Sequence, residues 1–277
     1  MTLTKAPGKI IAFLFKRHQL FLLVSLLIQS PARAQVRKIS LIAHRGGVVD
    51  STYTENGFPA LQKAASLGYA AIETDMRVTR DGILIANHDA DFERYYGLKE
   101  KVTGITWPEI QKLSSKLDHN RPLKLESVLR FCQENNMYVM LDNKISGLDT
   151  LLFNKLLGLL DQYDLRKNAL MIGTDESTEF FTGKIKLSCT RKQLEENISR
   201  RDYQSDHYFL FDRPANLSQE DVRWAKQQEI TVVAAINKYH YRNTPDMYKN
   251  AKRDCETMRS YGIDHFQIDS EFASYCK

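Results

Sequence analysis

Eight short apolar runs, separated by stretches with helical periodicity, constrain the fold of this chain more than any other feature. They cover residues 39–44, 69–75, 137–142, 169–172, 184–187, 208–211, 230–236 and 265–269. Most lack strict polar alternation, as parallel strands do when helices cover them from outside. Between them, Leu125, Val128, Leu129 and Cys132 recur at i, i+3, i+4 and i+7, and Leu152, Leu156, Leu159 and Tyr163 form a second stripe. Each set marks one side of a helix. Ser218 followed by Asp221 forms a shortened capping box, with Leu217 and Val222 placed as its hydrophobic staple. Thr244-Pro245 reads as an N-cap and first-turn proline, and Gly262 as a helix stop before the last strand.

Eight strand–helix units predict an α/β fold: a single closed (β/α)8 TIM barrel rather than an open doubly wound sheet. The connection after the second strand is too long for an ordinary βα loop. It holds Asp81-Gly82, His88-Asp89 and the aromatic residues Tyr95, Tyr96 and Trp107. A small insertion is expected there, on the barrel face where active-site loops gather. Its rings could line a substrate cleft or cover the core.

The first 34 residues read separately. Lys5, Lys9, Lys16 and Arg17 precede an apolar run over residues 20–28, which ends at Pro31 and Ala32-Arg33-Ala34. That is the grammar of a secretory signal peptide, and the run is too short to cross a bilayer. Cleavage before Gln35 would leave a single domain over residues 35–277, exported to the periplasm or secreted, with no stable transmembrane span. The segment contains five basic residues and no acidic ones, so the remainder balances at 34 Lys+Arg against 34 Asp+Glu. The formal charge of +5 therefore belongs to the export signal. Nothing remains of a broad basic surface for nucleic acid.

Cys132, Cys189, Cys255 and Cys276 lie far apart, without the spacing of a zinc site or redox motif. Export permits disulfides, and four cysteines allow three complete pairings.

Chemistry concentrates where strands end. The first run delivers His44-Arg45-Gly46-Gly47, whose glycines allow a sharp turn. Alone, His44 could be a strand-end histidine satisfied by the backbone. The second run ends in Glu73-Thr74-Asp75, and period-2 alternation puts both carboxylates on one face. They could grip a cation, or pair with Arg77 and Arg80. The third ends in Asp142-Asn143-Lys144, again with two charged groups on one face. Asp142 could complete the cation site, and Lys144 could bind a phosphate oxygen or pair with the acids. His119, His207, His240 and His265 show no metal-ligand spacing.

The assembled order resembles the glycerophosphodiester phosphodiesterase family. The resemblance runs through His44-Arg45-Gly46, Glu55-Asn56, Glu73-Thr74-Asp75, Asp81-Gly82, His88-Asp89, Leu123-Lys124-Leu125-Glu126 and Asp142-x-Lys144. It continues more loosely through Asn237 to Gly262-Ile263-Asp264 and Asp269. It implies a barrel that binds a divalent cation, Ca²⁺ or Mg²⁺, and hydrolyses a small-molecule or lipid-derived phosphodiester to glycerol 3-phosphate and an alcohol. Carried onto matching positions, it assigns Glu73, Asp75 and Asp142 to the metal, His44 and His88 to general acid/base chemistry, and Arg45 and Lys144 to phosphate. Asn237 and Glu126 are secondary candidates, Asn237 because it follows an apolar strand toward the mouth.

Two positions depart from the family pattern. Its Glu-Asn-Thr becomes Glu55-Asn56-Gly57, and its third metal carboxylate, usually glutamate, is the shorter Asp142. The Asp-x-Lys pattern also looks like the related sphingomyelinase D branch, but the interval from His44 to Glu73 favours the glycerophosphodiester branch. An exported, catalytically inactive binding module is the non-enzymatic alternative.

Overall fold

Each of the eight apolar runs forms a strand, and all eight run parallel. The computed structural model describes residues 38–47 and 52–277; the proposed signal peptide lies outside the described residues. The strands are β1 (Ser40–Ala43), β2 (Ala71–Val78), β3 (Tyr138–Asn143), β4 (Leu170–Ile172), β5 (Lys186–Cys189), β6 (Tyr208–Asp212), β7 (Thr231–Ile236) and β8 (His265–Ile268). Each pairs with its neighbours in chain order, and β8 pairs back onto β1 with Ser40 opposite His265. The sheet is therefore a closed eight-stranded barrel.

Alternation along the strands divides the core in two. Leu41, Ala43, Val139, Leu141, Val232 and Ala234 face outward and join one large cluster with the helices, whereas Ile42, Ala71, Met140, Phe209 and Val233 form a separate cluster inside the barrel. The helices are α1 (Phe58–Ser66), α2 (Leu125–Glu134), α3 (Thr150–Gln162), α4 (Asp175–Phe181), α5 (Arg191–Ile198), α6 (Gln219–Gln227), α7 (Met247–Ser260) and α8 (Ala273–Cys276). In α2, Leu125, Val128, Leu129 and Cys132 are all fully buried, as their spacing requires. In α6 the box forms as expected: Ser218 Oγ accepts from Asp221 N, and Asp221 accepts from Ser218 N. Among the described residues no helix is long and apolar enough to cross a membrane.

Most strand ends shift by one to three residues, the second running over Ala71–Val78 instead of 69–75, and two of the differing boundaries have a clear local cause. β5 starts at Lys186 rather than Lys184, because Lys184 N still bonds to Phe181 O in the turn that leaves α4, with Gly183 at φ 73°. The cap of α7 is Asp246, which accepts from Lys249 N; Thr244 instead donates its hydroxyl back to Tyr241 O. The carboxylate two residues on supplies the stronger acceptor for orphan N–H groups.

The insertion lies between β2 and α2. Leu84–Ala86 pairs antiparallel with the end of β2 and with Leu123–Lys124, and Asp91–Phe92 pairs with Leu98–Lys101. It closes over its own small core of Ile85, Phe92, Val102, Ile105 and Ile110. Tyr96 packs edge-on against Phe92, and Trp107 lies under the Lys124 ammonium. Neither expected role is met as stated: Tyr96 and Trp107 cover the insertion's own core rather than the barrel core or the cavity at the barrel mouth, and Tyr95 lies against the Arg94 guanidinium.

Cys255 and Cys276 form a disulfide between α7 and α8, and Cys132 and Cys189 are free and buried. With 21 residues of separation, the bridge contributes about 3 kcal/mol by restricting the unfolded chain. Replacing both partners with serine should lower the melting temperature by roughly 6–12 °C. An unchanged unfolding curve in that variant, and in wild type under reductant, would show that the bridge contributes nothing.

Candidate active site

The strand face that fills the barrel interior continues upward into the site. Two residues beyond Ile42 is His44; beyond Ala71 come Glu73 and Asp75; beyond Met140 comes Asp142; beyond Val233 come Ala235 and Asn237. The same parity carries Gln267 to Asp269 on β8. Parallel register sets the heights, with Asp75 directly opposite Asp142. Apolar side chains thus plug the barrel, and polar ones occupy its carboxyl-terminal mouth, where barrel active sites form.

The mouth opens into a cavity of about 300 Å³. Seven of the eight predicted site residues line it: His44, Arg45, Asp75, His88, Asp142, Lys144 and Asn237. The eighth, Glu73, is 1 % exposed. Glu126 lies elsewhere, accepting a bond from Tyr163 on the outer layer at 3.0 Å.

Backbone strain builds the first wall. Arg45 takes φ 53° and Gly46 φ 79°, so the chain turns sharply after β1. A Cβ on Gly46 would lie 2.7 Å from the Asn56 Cα. The turn aims Arg45 N at Glu73 Oε2, 2.6 Å away, and Arg45 O accepts from Asn56 N at 2.8 Å. Asn56 in turn donates to Asp75 Oδ2 at 3.1 Å and accepts from Thr74 Oγ1 at 2.7 Å. Gly46→Ala should therefore disturb both carboxylates; a variant with wild-type melting temperature and cation affinity would contradict this.

Glu73, Asp75 and Asp142 offer one oxygen each, all within 4.8 Å of one another. Burial, then the Asp75 charge, pushes Glu73 up to about 8, and burial raises Asp142 against the pull of Lys144. Three such acids need a proton or a cation to relieve their repulsion. A hard, all-oxygen set of this size fits Ca²⁺ or Mg²⁺ and suits a thiophilic metal poorly. The alternative partners are engaged otherwise: Arg77 holds the His88 carbonyl at 2.7 Å, and Arg80 binds the Gly104 carbonyl and Glu109. Lys144 reaches Asp142 at 2.5 Å and Asp75 at 3.7 Å.

Both imidazoles are backed by acids. His44 Nδ1 lies 2.5 Å from Asp269 Oδ1, and His88 Nδ1 lies 2.7 Å from Asp89 Oδ1. An ionised carboxylate only accepts, so each Nδ1 carries its proton and Nε2 is the atom left for chemistry. Burial pulls the His44 pKa down, but the hydrogen bond and charge of Asp269 outweigh it and the net shift is upward. Asp269 is fixed from behind by Lys238 N at 2.7 Å. Asn237 donates to Gln267 at 3.3 Å. Arg45 Nε is buried and has no hydrogen-bond partner among the described residues.

A model of the glycerophosphoryl diester phosphodiesterase family matches residues 44–264. The chain belongs to this family. Glycerophosphodiester phosphodiesterase 1 from Bos taurus is 31% identical over 116 residues, which is 39% of this chain and 34% of that one. A lysophospholipase D from Homo sapiens is 26% identical over 196 residues, 66% of this chain and 58% of that one. The chain thus spans about a third of the length of the first of these relatives. Among solved structures, a family member from Parabacteroides distasonis superposes with a TM-score of 0.70 at 17% identity, covering 87% of each chain. A phosphodiesterase from Oleispira antarctica, solved with its product sn-glycerol-3-phosphate, gives 0.67 at 17% identity, covering 85% of this chain and 96% of that one. These likenesses bear out the barrel.

Sequence reasoning left several site residues without a role. Asp269 stood in the family pattern unassigned, although its place two residues beyond Gln267 could have marked it. Glu55 was likewise unassigned, and Arg94, Arg213, Tyr239 and Lys238 were passed over. His240, set aside as uninformative, also lines the cavity.

Proposed function

We propose that the chain hydrolyses glycerophosphodiesters to glycerol 3-phosphate and an alcohol, in a metal-dependent reaction with His44 and His88 as the proton-transfer pair. One observation carries this reading: two acid-backed imidazoles open on the same cavity as a cluster of three carboxylates. Family membership and a structural neighbour bound to sn-glycerol-3-phosphate support it.

In this mechanism Glu73, Asp75 and Asp142 hold the cation, Ca²⁺ or Mg²⁺. The bound ion would polarise the phosphoryl group and neutralise its charge. Arg45 and Lys144 bind the nonbridging oxygens, and Asn237 lies at the edge of the same space. One imidazole Nε2 takes the proton of the attacking water, or first of a substrate hydroxyl, in which case a cyclic phosphate forms and a second attack, by water, opens it to glycerol 3-phosphate. As the new P–O bond forms, the bond to the alcohol breaks, and the other imidazole donates a proton to the departing oxygen. Asp269 and Asp89 hold the two rings in the tautomer this exchange needs.

Export of the chain belongs to the same proposal. The Cys255–Cys276 bridge supports it, because disulfides persist in oxidising compartments.

Alcohol release tests the reading. Mature protein is supplied with glycerophosphocholine, glycerophosphoethanolamine, glycerophosphoglycerol, glycerophosphoinositol, a lysophospholipid and sphingomyelin, with Ca²⁺, Mg²⁺ or chelator. Metal-dependent turnover of a glycerophosphodiester is expected. Turnover confined to sphingomyelin would move the chain to the sphingomyelinase D branch, and inactivity of folded protein throughout would favour a binding module.

A further inference from the structure

The insertion gives the cavity one side chain, His88, yet a second one reaches the site from behind. Arg94, on the one-turn helix Glu93–Tyr96, donates Nη1 and Nη2 to the two oxygens of Glu55 at 3.0 and 2.6 Å, and Nε to Asp89 at 2.8 Å. Asp89 is the acid that orients His88. Glu55 also meets Arg45 Nη1 at 3.4 Å, and its side chain is 5% exposed. The guanidinium carbon lies over the Tyr95 ring, 4.5 Å from its centroid. One planar group thus joins the loop after β1 to the loop that carries His88.

We propose that Arg94 is a positioning residue, a clamp that fixes His88 through Asp89 and Arg45 through Glu55. The proposal rests on the phosphodiesterase reading, in which His88 and Arg45 do chemistry.

Three features separate this role from its neighbours. Arg94 does not line the 300 Å³ cavity. The space beside it, bounded by Glu55, Asn87, His88, Asp89, Tyr95 and Tyr96, is about 10 Å³, less than a substrate group needs. The Arg94 side chain is 40% exposed but grips both oxygens of a carboxylate that is 5% exposed, so that half of the fork also supports the fold, whereas the half on Asp89 does not need to. The geometry therefore does not serve substrate contact, and a fold contact alone would need only Glu55. It spends a planar fork on two acids at right positions, and lysine, a single point donor, cannot hold both. The His88 hydrogen bond, against the opposing effect of burial, and then the Arg94 charge bring Asp89 down to about 2, so it stays an acceptor for Nδ1–H.

The test compares wild type with Arg94→Met, Arg94→Lys, Asp89→Asn and the Arg94→Met/Asp89→Asn double variant on a glycerophosphodiester that wild type turns over. Arg94→Met should lower kcat about tenfold to hundredfold, the range typical of lost orienting partners, while KM stays within about twofold; the melting temperature should fall as Glu55 loses its bidentate partner, so kcat is read well below it. Arg94→Lys should not rescue. The double variant should lose less than the product of the two single losses, since the His88 arm is shared and only the Arg45 arm belongs to Arg94 alone. A kcat within twofold of wild type, a loss confined to KM, or independent, multiplying losses would overturn the clamp. ¹⁵N spectra of the His88 imidazole, assigned with His88→Gln, give a second readout that needs no turnover. Wild type should hold the Nδ1–H tautomer and Arg94→Met should mix the two. If wild type is inactive on every diester, the phosphodiesterase reading fails, and an unchanged tautomer in the variant would still sink the clamp.

Discussion

In the presence of chelator, Glu73→Gln should unfold at a higher temperature than wild type, and added Ca²⁺ or Mg²⁺ should stabilise wild type far more than the variant. The argument starts from burial. Glu73 is 1% exposed beside Asp75, and together these push its carboxyl from the ordinary 4.5 to about 8. A carboxyl whose folded pKa is raised destabilises the folded chain as pH climbs above its unfolded value, and the penalty levels off above the folded one. The window here is therefore pH 4.5 to about 8. At pH 7 that penalty lowers the melting temperature of wild type. Glutamine removes that cost, and its carbonyl can still accept from Arg45 N. With cation present the balance changes. An ion at a hundred times its dissociation constant stabilises wild type by about 2.7 kcal/mol, and the variant, short of one charged ligand, should gain far less. Its turnover should fall by at least about a hundredfold. Thermal unfolding with and without chelator decides the matter: a variant no more stable than wild type in chelator, or one that gains equally from cation, would remove Glu73 from the metal role.

The features that were legible in the sequence are those governed by short-range periodicity. All eight strands were visible as apolar runs, and the alternation that puts Glu73 and Asp75 on one face is the same alternation that stacks them above Ala71 in the barrel. The motif order did the rest, since strand ends of a closed parallel barrel converge whatever their separation in the chain. Asp269 could have been placed by the same parity, but a lone acid near the terminus carries no signal of its partner 225 residues away. Arg94 was not legible at all. It lies in a segment without periodicity, and Glu55, the acid it grips, is 39 residues earlier, across the whole of α1 and β2. Cysteine pairing was open for a related reason: spacing allowed three connectivities, and only the approach of α8 to α7 selects Cys255 with Cys276. The α7 cap shows the local limit. Thr244-Pro245 and Asp246 both carry cap chemistry, and the choice between them depended on the hydroxyl finding the Tyr241 carbonyl.

His44→Ala should lower kcat by about a thousandfold, within the range expected for a lost proton-transfer group, while cation binding survives. The two effects separate because His44 offers the cavity a ring nitrogen and is not one of the three clustered acids. Its removal also strips Asp269 of a partner 2.5 Å away, in a position 1% exposed. The acid keeps the Lys238 N–H at 2.7 Å, so the folding cost should stay near 1–3 kcal/mol, typical of one lost buried hydrogen bond. Asp269→Asn provides the contrast. Its amide can still accept from Nδ1–H, but it can also present N–H₂ and admit the wrong tautomer, so kcat should drop by at least about tenfold to a hundredfold, the range of a lost orienting partner. The double variant should then match His44→Ala, because orientation has no value once the imidazole is gone. Turnover at saturating substrate, read beside cation affinity by calorimetry, separates the possibilities. If His44→Ala keeps wild-type kcat, the imidazole is a structural partner of Asp269; if it loses cation affinity in proportion to activity, the histidine acts through the metal cluster and proton transfer must be sought elsewhere in the cavity.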